Sequence, residues 1–192
     1  MNLPAPSLDG RQSLEQTIAS RRSVREFTDT PLTEADISQL LWAAAGITDP
    51  VGLRAAPSAG AIYPLELYLT TPTGFYHYTP VRHLLEPRQP TDLREPLYNA
   101  STGQEMVRDA PATLAITGVY ERVAGRYGGD RARRYVDMEA GHAAQNVLLQ
   151  ATALGLSAVP VGAFDDGLIR EVLALPAGET PLYLIPVGYA RH

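Results

Sequence analysis

Arg21, Ser23 and Arg25 alternate along the segment Arg21-Arg22-Ser23-Val24-Arg25-Glu26-Phe27. In an extended chain alternate side chains share a face, so two guanidinium groups and a hydroxyl converge. Planar, bidentate donors of this kind suit a phosphate, although a solvated basic helix end has the same composition. A second segment, Arg54-Ala55-Ala56-Pro57-Ser58-Ala59-Gly60-Ala61-Ile62-Tyr63-Pro64, consists largely of small residues. These let a flat ring approach the backbone, and Ser58 adds a short polar contact; an ordinary connection into a strand has the same look. The third, Ala158-Val159-Pro160-Val161-Gly162-Ala163-Phe164-Asp165, reads as a strand entering a glycine turn, whose exposed N–H groups could donate to a ring nitrogen. In the fourth, Glu139-Ala140-Gly141-His142-Ala143-Ala144-Gln145-Asn146, Glu139 and His142 stand three apart on one expected helix face. No second histidine follows at ligand spacing, so no metal site is expected, and His142 reads as a packed or interface residue before a catalyst.

Composition narrows the chemistry. All 16 basic residues are arginine, so Schiff-base chemistry and a lysine general base are excluded. Cysteine is absent, which removes thiolate nucleophiles, disulfides and thiolate metal sites. A net charge of −5 offers nucleic acid no partner surface. There is no G-x-S-x-G elbow, no phosphate-binding G-x-x-x-x-G-K-[ST] and no G-x-G-x-x-G after a strand. Met1 to Arg11 lacks an apolar signal region and no apolar run spans a bilayer, so a cytoplasmic protein without a membrane partner is expected. With 192 residues, 45% of them hydrophobic and 19% charged, the chain suits one folded domain over 1–192.

The elements that must position these segments follow from periodicity. Leu14 and Ile18 predict a short amphipathic helix ending near Ser20. Thr33 and Asp36 resemble a capping box opening a helix that buries Ile37, Leu40, Leu41 and Ala44 and stops at Gly46. Thr48 to Gly60 reads as loop, and Leu65–Thr71 with Phe75–Tyr78 as a hairpin through Pro72, Thr73 and Gly74. Ala112–Tyr120 is a strand candidate. A helix from about Asp130 to Leu154, carrying Met138, Ala144, Val147, Leu148, Ala151 and Leu154, is long enough to form a spine. Ser157–Phe164 reads as a strand, Asp166–Leu175 as a short helix and Leu182–Tyr189 as a final buried strand. The fold class is α+β: a mixed sheet flanked by helices, with a long central helix.

In order and spacing, RRSVREF, TEADISQLLWAAAG, APSAGAIYPLELYL, EAGHAAQN, LGLSAVPVGAFDD and PLYLIPVGYAR resemble the nitroreductase family, and more narrowly its SagB-type dehydrogenase branch. The likeness runs from about Ser13 to Arg191. It implies an intertwined homodimer holding FMN at its interface. Arg21, Arg22, Ser23 and Arg25 match positions that hold the FMN phosphate and ribityl chain. Pro57, Ser58, Ala59 and Gly60 match a segment that lies against the isoalloxazine, supplied by the partner subunit. Val161, Gly162 and Ala163 match the segment whose N–H faces flavin N5. Gln104 matches a position at the ring edge, and Arg191 is a further phosphate candidate. Relatives often place lysine near flavin N1; here Arg25 or Arg54 would serve.

The implied activity is ping-pong reduction of a small acceptor, such as a nitroaromatic or quinone, driven by NAD(P)H. No side chain acts as a nucleophile in that scheme. The alternatives are a SagB-like dehydrogenase oxidising an azoline or related ring, and an FMN-binding protein without turnover. The azoline dehydrogenases of the branch resemble one another in a Lys-Tyr pair that deprotonates the ring; the matching residues here are Arg126 and Tyr127, and arginine is a poor base. The chain also offers no N-terminal region that would grip a peptide leader, so simple reductase chemistry ranks first.

Overall fold

The computed structural model describes residues 1–191. Helix α1, Leu14–Ser20, opens on a capping box in which Ser13 accepts from the Gln16 amide while the Gln16 side chain reaches back. Helix α2, Glu34–Ala45, uses the same device with Thr33 and Asp36. It buries Ile37, Leu40, Leu41 and Ala44, as its periodicity predicts. Gly46 caps it, but with φ of −63°, outside the left-handed region. Its glycine is required by space instead: a Cβ there would lie 2.2 Å from the Trp42 ring.

The hairpin forms as β1, Leu65–Thr71, and β2, Gly74–Thr79. The periodicity offers no counterpart to β3, Leu84–Gln89, to the short helices α3, Arg94–Ala100, and α4, Glu105–Asp109, or to the helix that follows the next strand. β3 is an edge strand, which is where a strand tolerates Pro87. Strand β4, Ala112–Val119, runs straight into α5, Tyr120–Tyr127, so Tyr120 starts a helix rather than ending the strand. No capping side chain marks that junction. The long helix α6, Gly129–Ala153, spans 25 residues, or about 37 Å at the α-helical rise.

The expected strand over Ser157–Phe164 shrinks to β5, Ser157–Ala158, plus a single bridge from Val161 to Leu184. Pro160 interrupts the ladder, and beyond Val161 the chain turns away to reach α7, Asp166–Val172, whose N-cap is Asp165. Strand β6, Glu179–Gly188, starts three residues earlier than the expected Leu182.

The sheet order is β3-β2-β1-β4-β6-β5, with antiparallel pairing throughout. A parallel bridge from Ser23 to Ala158 makes its β5 edge mixed. Side-chain alternation sorts the strands onto two cores. Leu65, Leu67 and Leu69 of β1, Leu114 and Ile116 of β4, and Ile185 and Val187 of β6 join α2 and α6 on one face. Tyr68, Ala115 and Leu184 join residues of α3, α4 and α7 on the other. The result is a three-layer α-β-α sandwich. On α1, however, Leu14 and Ile18 are 61% and 56% exposed, so its apolar face has no cover among the described residues.

Candidate functional site

Two clusters of the singled-out residues form, at opposite ends of the sheet. The first is at the β5 edge. Residues 21–25 run beside β5, with the Val24 amide donating to the Ala158 carbonyl at 3.3 Å. This brings the arginine–serine segment against the chain that leads into Gly162. Arg25 and Ser23 are exposed and Arg21 is half-buried. Among the described residues, neither Arg21 nor Arg25 has an ion-pair partner. Arg22 differs: its guanidinium folds back on α1, donating to the carbonyls of Ala19 at 3.0 Å and Arg21 at 2.7 Å. Arg191 joins the same strip, its amide donating to the Glu26 carbonyl at 3.0 Å.

The turn after β5 is held in place from below. Val161 is locked to Leu184 by a reciprocal pair of backbone bonds of 2.7 and 2.9 Å, so its amide is committed. Gly162 and Ala163 are exposed, and their amides have no protein acceptor among the described residues. Gln104 donates its side-chain amide to the Ala163 carbonyl at 2.7 Å and to the Ser101 carbonyl at 3.0 Å. The Asp165 amide donates to the Ala100 carbonyl, and the Asp165 carboxylate caps α7 through the Leu168 amide. The α3–α4 connection therefore holds the turn that carries these two N–H groups. Asp165 carried a legible signal, the N-cap spacing to Leu168; the anchor from Ala100 had none.

The second cluster surrounds Pro57–Gly60. Gly60 adopts φ of 63°, a left-handed conformation that suits glycine. A Cβ there would lie 2.8 Å from both the Arg126 guanidinium and the Tyr127 hydroxyl, so α5 brings that pair directly against the loop. Ser58 accepts from the Tyr63 amide at 2.9 Å, and the Tyr63 hydroxyl accepts from the Arg54 amide at 3.1 Å. The Arg54 guanidinium stacks on the Tyr63 ring, 4.6 Å from its centroid. Burial lowers the Arg54 pKa, against the pull of Glu66, Tyr63 and Glu139.

Glu139 lies under this loop and is 5% exposed. Burial pushes its carboxyl up to about 7, opposed by the Ser58 hydroxyl and the Arg54 charge. His142 does not share this face but is exposed to solvent. Positions three apart differ by about 60° around a helix, and here the buried boundary falls between them.

The two clusters do not meet within one chain. The Pro57–Gly60 loop sits at the level of Glu139, and β5 begins beyond Ala153; along α6 that separation is on the order of 20 Å. The sheet provides an independent ruler. Leu65, which follows the loop, pairs with Gly118, which pairs with Thr180; Ser157 pairs with Gly188 at the far end of β6. The interval along the strand is about 25 Å.

Comparisons with known proteins agree with this fold. Residues 18–189 match the sequence pattern of the nitroreductase family. A Methanocaldococcus jannaschii protein named as a nitroreductase is 44% identical over 98% of this chain and 96% of its own length. The microcin B17-processing protein of Escherichia coli is 29% identical, covering 72% of this chain; the match takes in 55% of that longer protein. The crystal structure of a Ralstonia eutropha protein, also named as a nitroreductase, superposes with a TM-score of 0.89 at 31% identity, over 100% of this chain and 89% of that one. An arginine–serine strip against a pinned glycine turn, on a sheet of this topology and with sequence agreement over nearly the whole length, leads to one assignment: the chain belongs to the nitroreductase family.

Proposed function

We propose that this chain is an FMN-dependent oxidoreductase that carries electrons from NAD(P)H to a small acceptor, such as a nitroaromatic or quinone, in a ping-pong cycle. The observation that carries this reading is the convergence at the β5 edge of two unpaired arginines and a serine with two uncommitted backbone N–H groups. The residues fit the cofactor. Arg21 and Arg25, with Arg191 alongside, supply bidentate guanidinium donors for the phosphate, and the Ser23 hydroxyl supplies a single one. Gly162 and Ala163 supply the donors facing N5, and Gln104 holds their turn in register. Val161, its own amide committed, fixes where that turn begins. Bound FMN supplies two-electron chemistry at its ring, and the protein supplies orientation and charge.

The ring face needs Pro57, Ser58, Ala59 and Gly60, which lie on the order of 20 Å away in the same chain. A second copy brings its own loop over the first copy's phosphate strip, so the working unit is a homodimer with two shared sites. The exposed apolar face of α1 supports that pairing. Arg54 is engaged with Tyr63 and steadies the loop.

One anaerobic cuvette tests the reading. The purified protein should show a flavin spectrum that NADH or NADPH bleaches and a nitroaromatic or quinone restores. A colourless protein that takes up no added FMN would refute it. A flavin-loaded protein that neither nucleotide reduces would instead indicate a storage or sensing role. A second reading, oxidation of an azoline ring, draws on the position of Arg126 and Tyr127 against Gly60. It predicts flavin bleaching by a small thiazoline and none by NAD(P)H.

A further inference from the structure

We propose that Glu139 is a positioning residue that acts through Arg54: it takes up a proton when the ring held on the Pro57–Gly60 loop is reduced, and so frees the Arg54 charge to balance that ring. The inference rests on the reading that this loop lies against the flavin, and it adds a proton-linked control of the flavin's potential. The loop is built to keep one shape. Gly60, Ala61 and Tyr63 have φ of 63°, 53° and 54°. Alanine and tyrosine hold that conformation only where their surroundings impose it, and such strain gathers at functional sites. Here the Tyr63 amide is tied to the Ser58 hydroxyl, the Tyr63 hydroxyl to the Arg54 amide, and the Tyr63 ring to the Arg54 guanidinium.

Beneath this loop the Ser58 hydroxyl and the Arg54 charge both face the Glu139 carboxyl of α6. Two acids face Arg54, Glu66 and Glu139. Glu66 is committed elsewhere, to the Arg122 guanidinium at 2.5 Å and the His77 ring at 2.8 Å. Glu139 is buried and has no ion-pair partner within 4.0 Å among the described residues, so its charge is the one that can change. The other titratable groups facing Arg54 are the Tyr63 and Tyr78 hydroxyls, and burial raises the Tyr78 pKa. An ionised Glu139 cancels the Arg54 charge; a neutral one leaves it uncompensated under the loop, where it favours an electron-rich ring. By linkage, reduction then draws a proton onto Glu139. The step balances: hydride from NAD(P)H brings two electrons and one proton to the ring, and a solvent proton converts the Glu139 carboxylate to the acid.

Anaerobic redox titration of the FMN-loaded protein against indicator dyes, from about pH 5.5 to about pH 8.5, tests this without turnover. Glu139→Gln supplies a neutral side chain of the same shape. Above about pH 7 the wild type should take up more protons per electron pair than this variant, by up to about one, which steepens the fall of potential with pH. Below about pH 6 the two slopes should coincide, and near pH 8 the variant should have the higher potential. Ser58→Ala removes a donor that favours the carboxylate, so the steeper region should begin at higher pH. Parallel profiles in the wild type and Glu139→Gln, or a lower potential in the variant near pH 8, would overturn the proposal. A protein that takes up no FMN refutes the flavin reading and this proposal with it, whereas flavin-loaded protein with parallel profiles removes only the role of Glu139.

Discussion

Arg21, Arg22 and Arg25 are one residue type in one segment, yet they have different prospects. Arg22 spends its guanidinium on the carbonyls of Ala19 and Arg21, whereas Arg21 and Arg25 keep theirs free. Arg21→Ala and Arg25→Ala should each weaken FMN binding at least about tenfold, as expected for a lost charge-assisted contact. Arg22→Ala should retain flavin. Absorbance at 450 nm after gel filtration reads all three, and full occupancy in the Arg21 and Arg25 variants would contradict the phosphate assignment. Glu139 carries a pH prediction. Its folded-state pKa rises from 4.5 to about 7, so folding favours the neutral carboxyl. That contribution is complete below about pH 4.5 and is lost as pH climbs through 7. Glu139→Gln should therefore match the wild type near pH 4.5 and exceed its stability at pH 8 by on the order of 1 kcal/mol, after allowance for solvent screening. Urea unfolding at the two pH values measures this, and a difference independent of pH would contradict it.

Among the elements, those with strong local signals are the ones legible in sequence. The Thr33–Asp36 capping box opens α2, and alternating leucines place β1. α3 and α5 lack capping side chains, and β3 carries proline and charge on an edge, so tertiary packing alone settles them. Gly46 is a subtler case. Its place at the end of α2 is legible, but the reason is the Trp42 ring, and Gly46→Ala should cost about 1–3 kcal/mol in urea denaturation through overpacking. A cost under a few tenths would show that Trp42 moves aside. The Gln104 bond to the Ala163 carbonyl spans 59 residues in sequence, a separation no local pattern reveals.

At the scale of the whole molecule, a single chain holds both clusters of the proposed cofactor site but keeps them apart. Leu14 on α1 and Leu154 just past α6, both exposed, border a cavity of about 650 Å³ lined also by Trp42 and Leu149, and Ile18 is exposed one turn along α1 from Leu14. Apolar exposure of this kind marks an association surface. In the proposed dimer, the double variant Leu14→Asp, Ile18→Asp should yield a monomer by light scattering and should lose FMN in the same preparation, because the loop proposed to cover the ring would leave with the partner. A monomer that keeps its flavin would separate dimerisation from cofactor binding and remove the shared site.

The order and wording of the segments along the chain carried the resemblance to the family, and caps and periodicity determined the α+β class, because caps and alternation act over a few residues. Only the tertiary structure decided that residues 21–25 meet β5, that Arg126 and Tyr127 crowd Gly60, that Glu139 is buried while His142 is not, and that the two clusters lie at opposite ends of the sheet. Those are contacts between residues far apart in sequence, and they exist because strand pairing and helix packing bring the chain together at distances that local propensity does not encode.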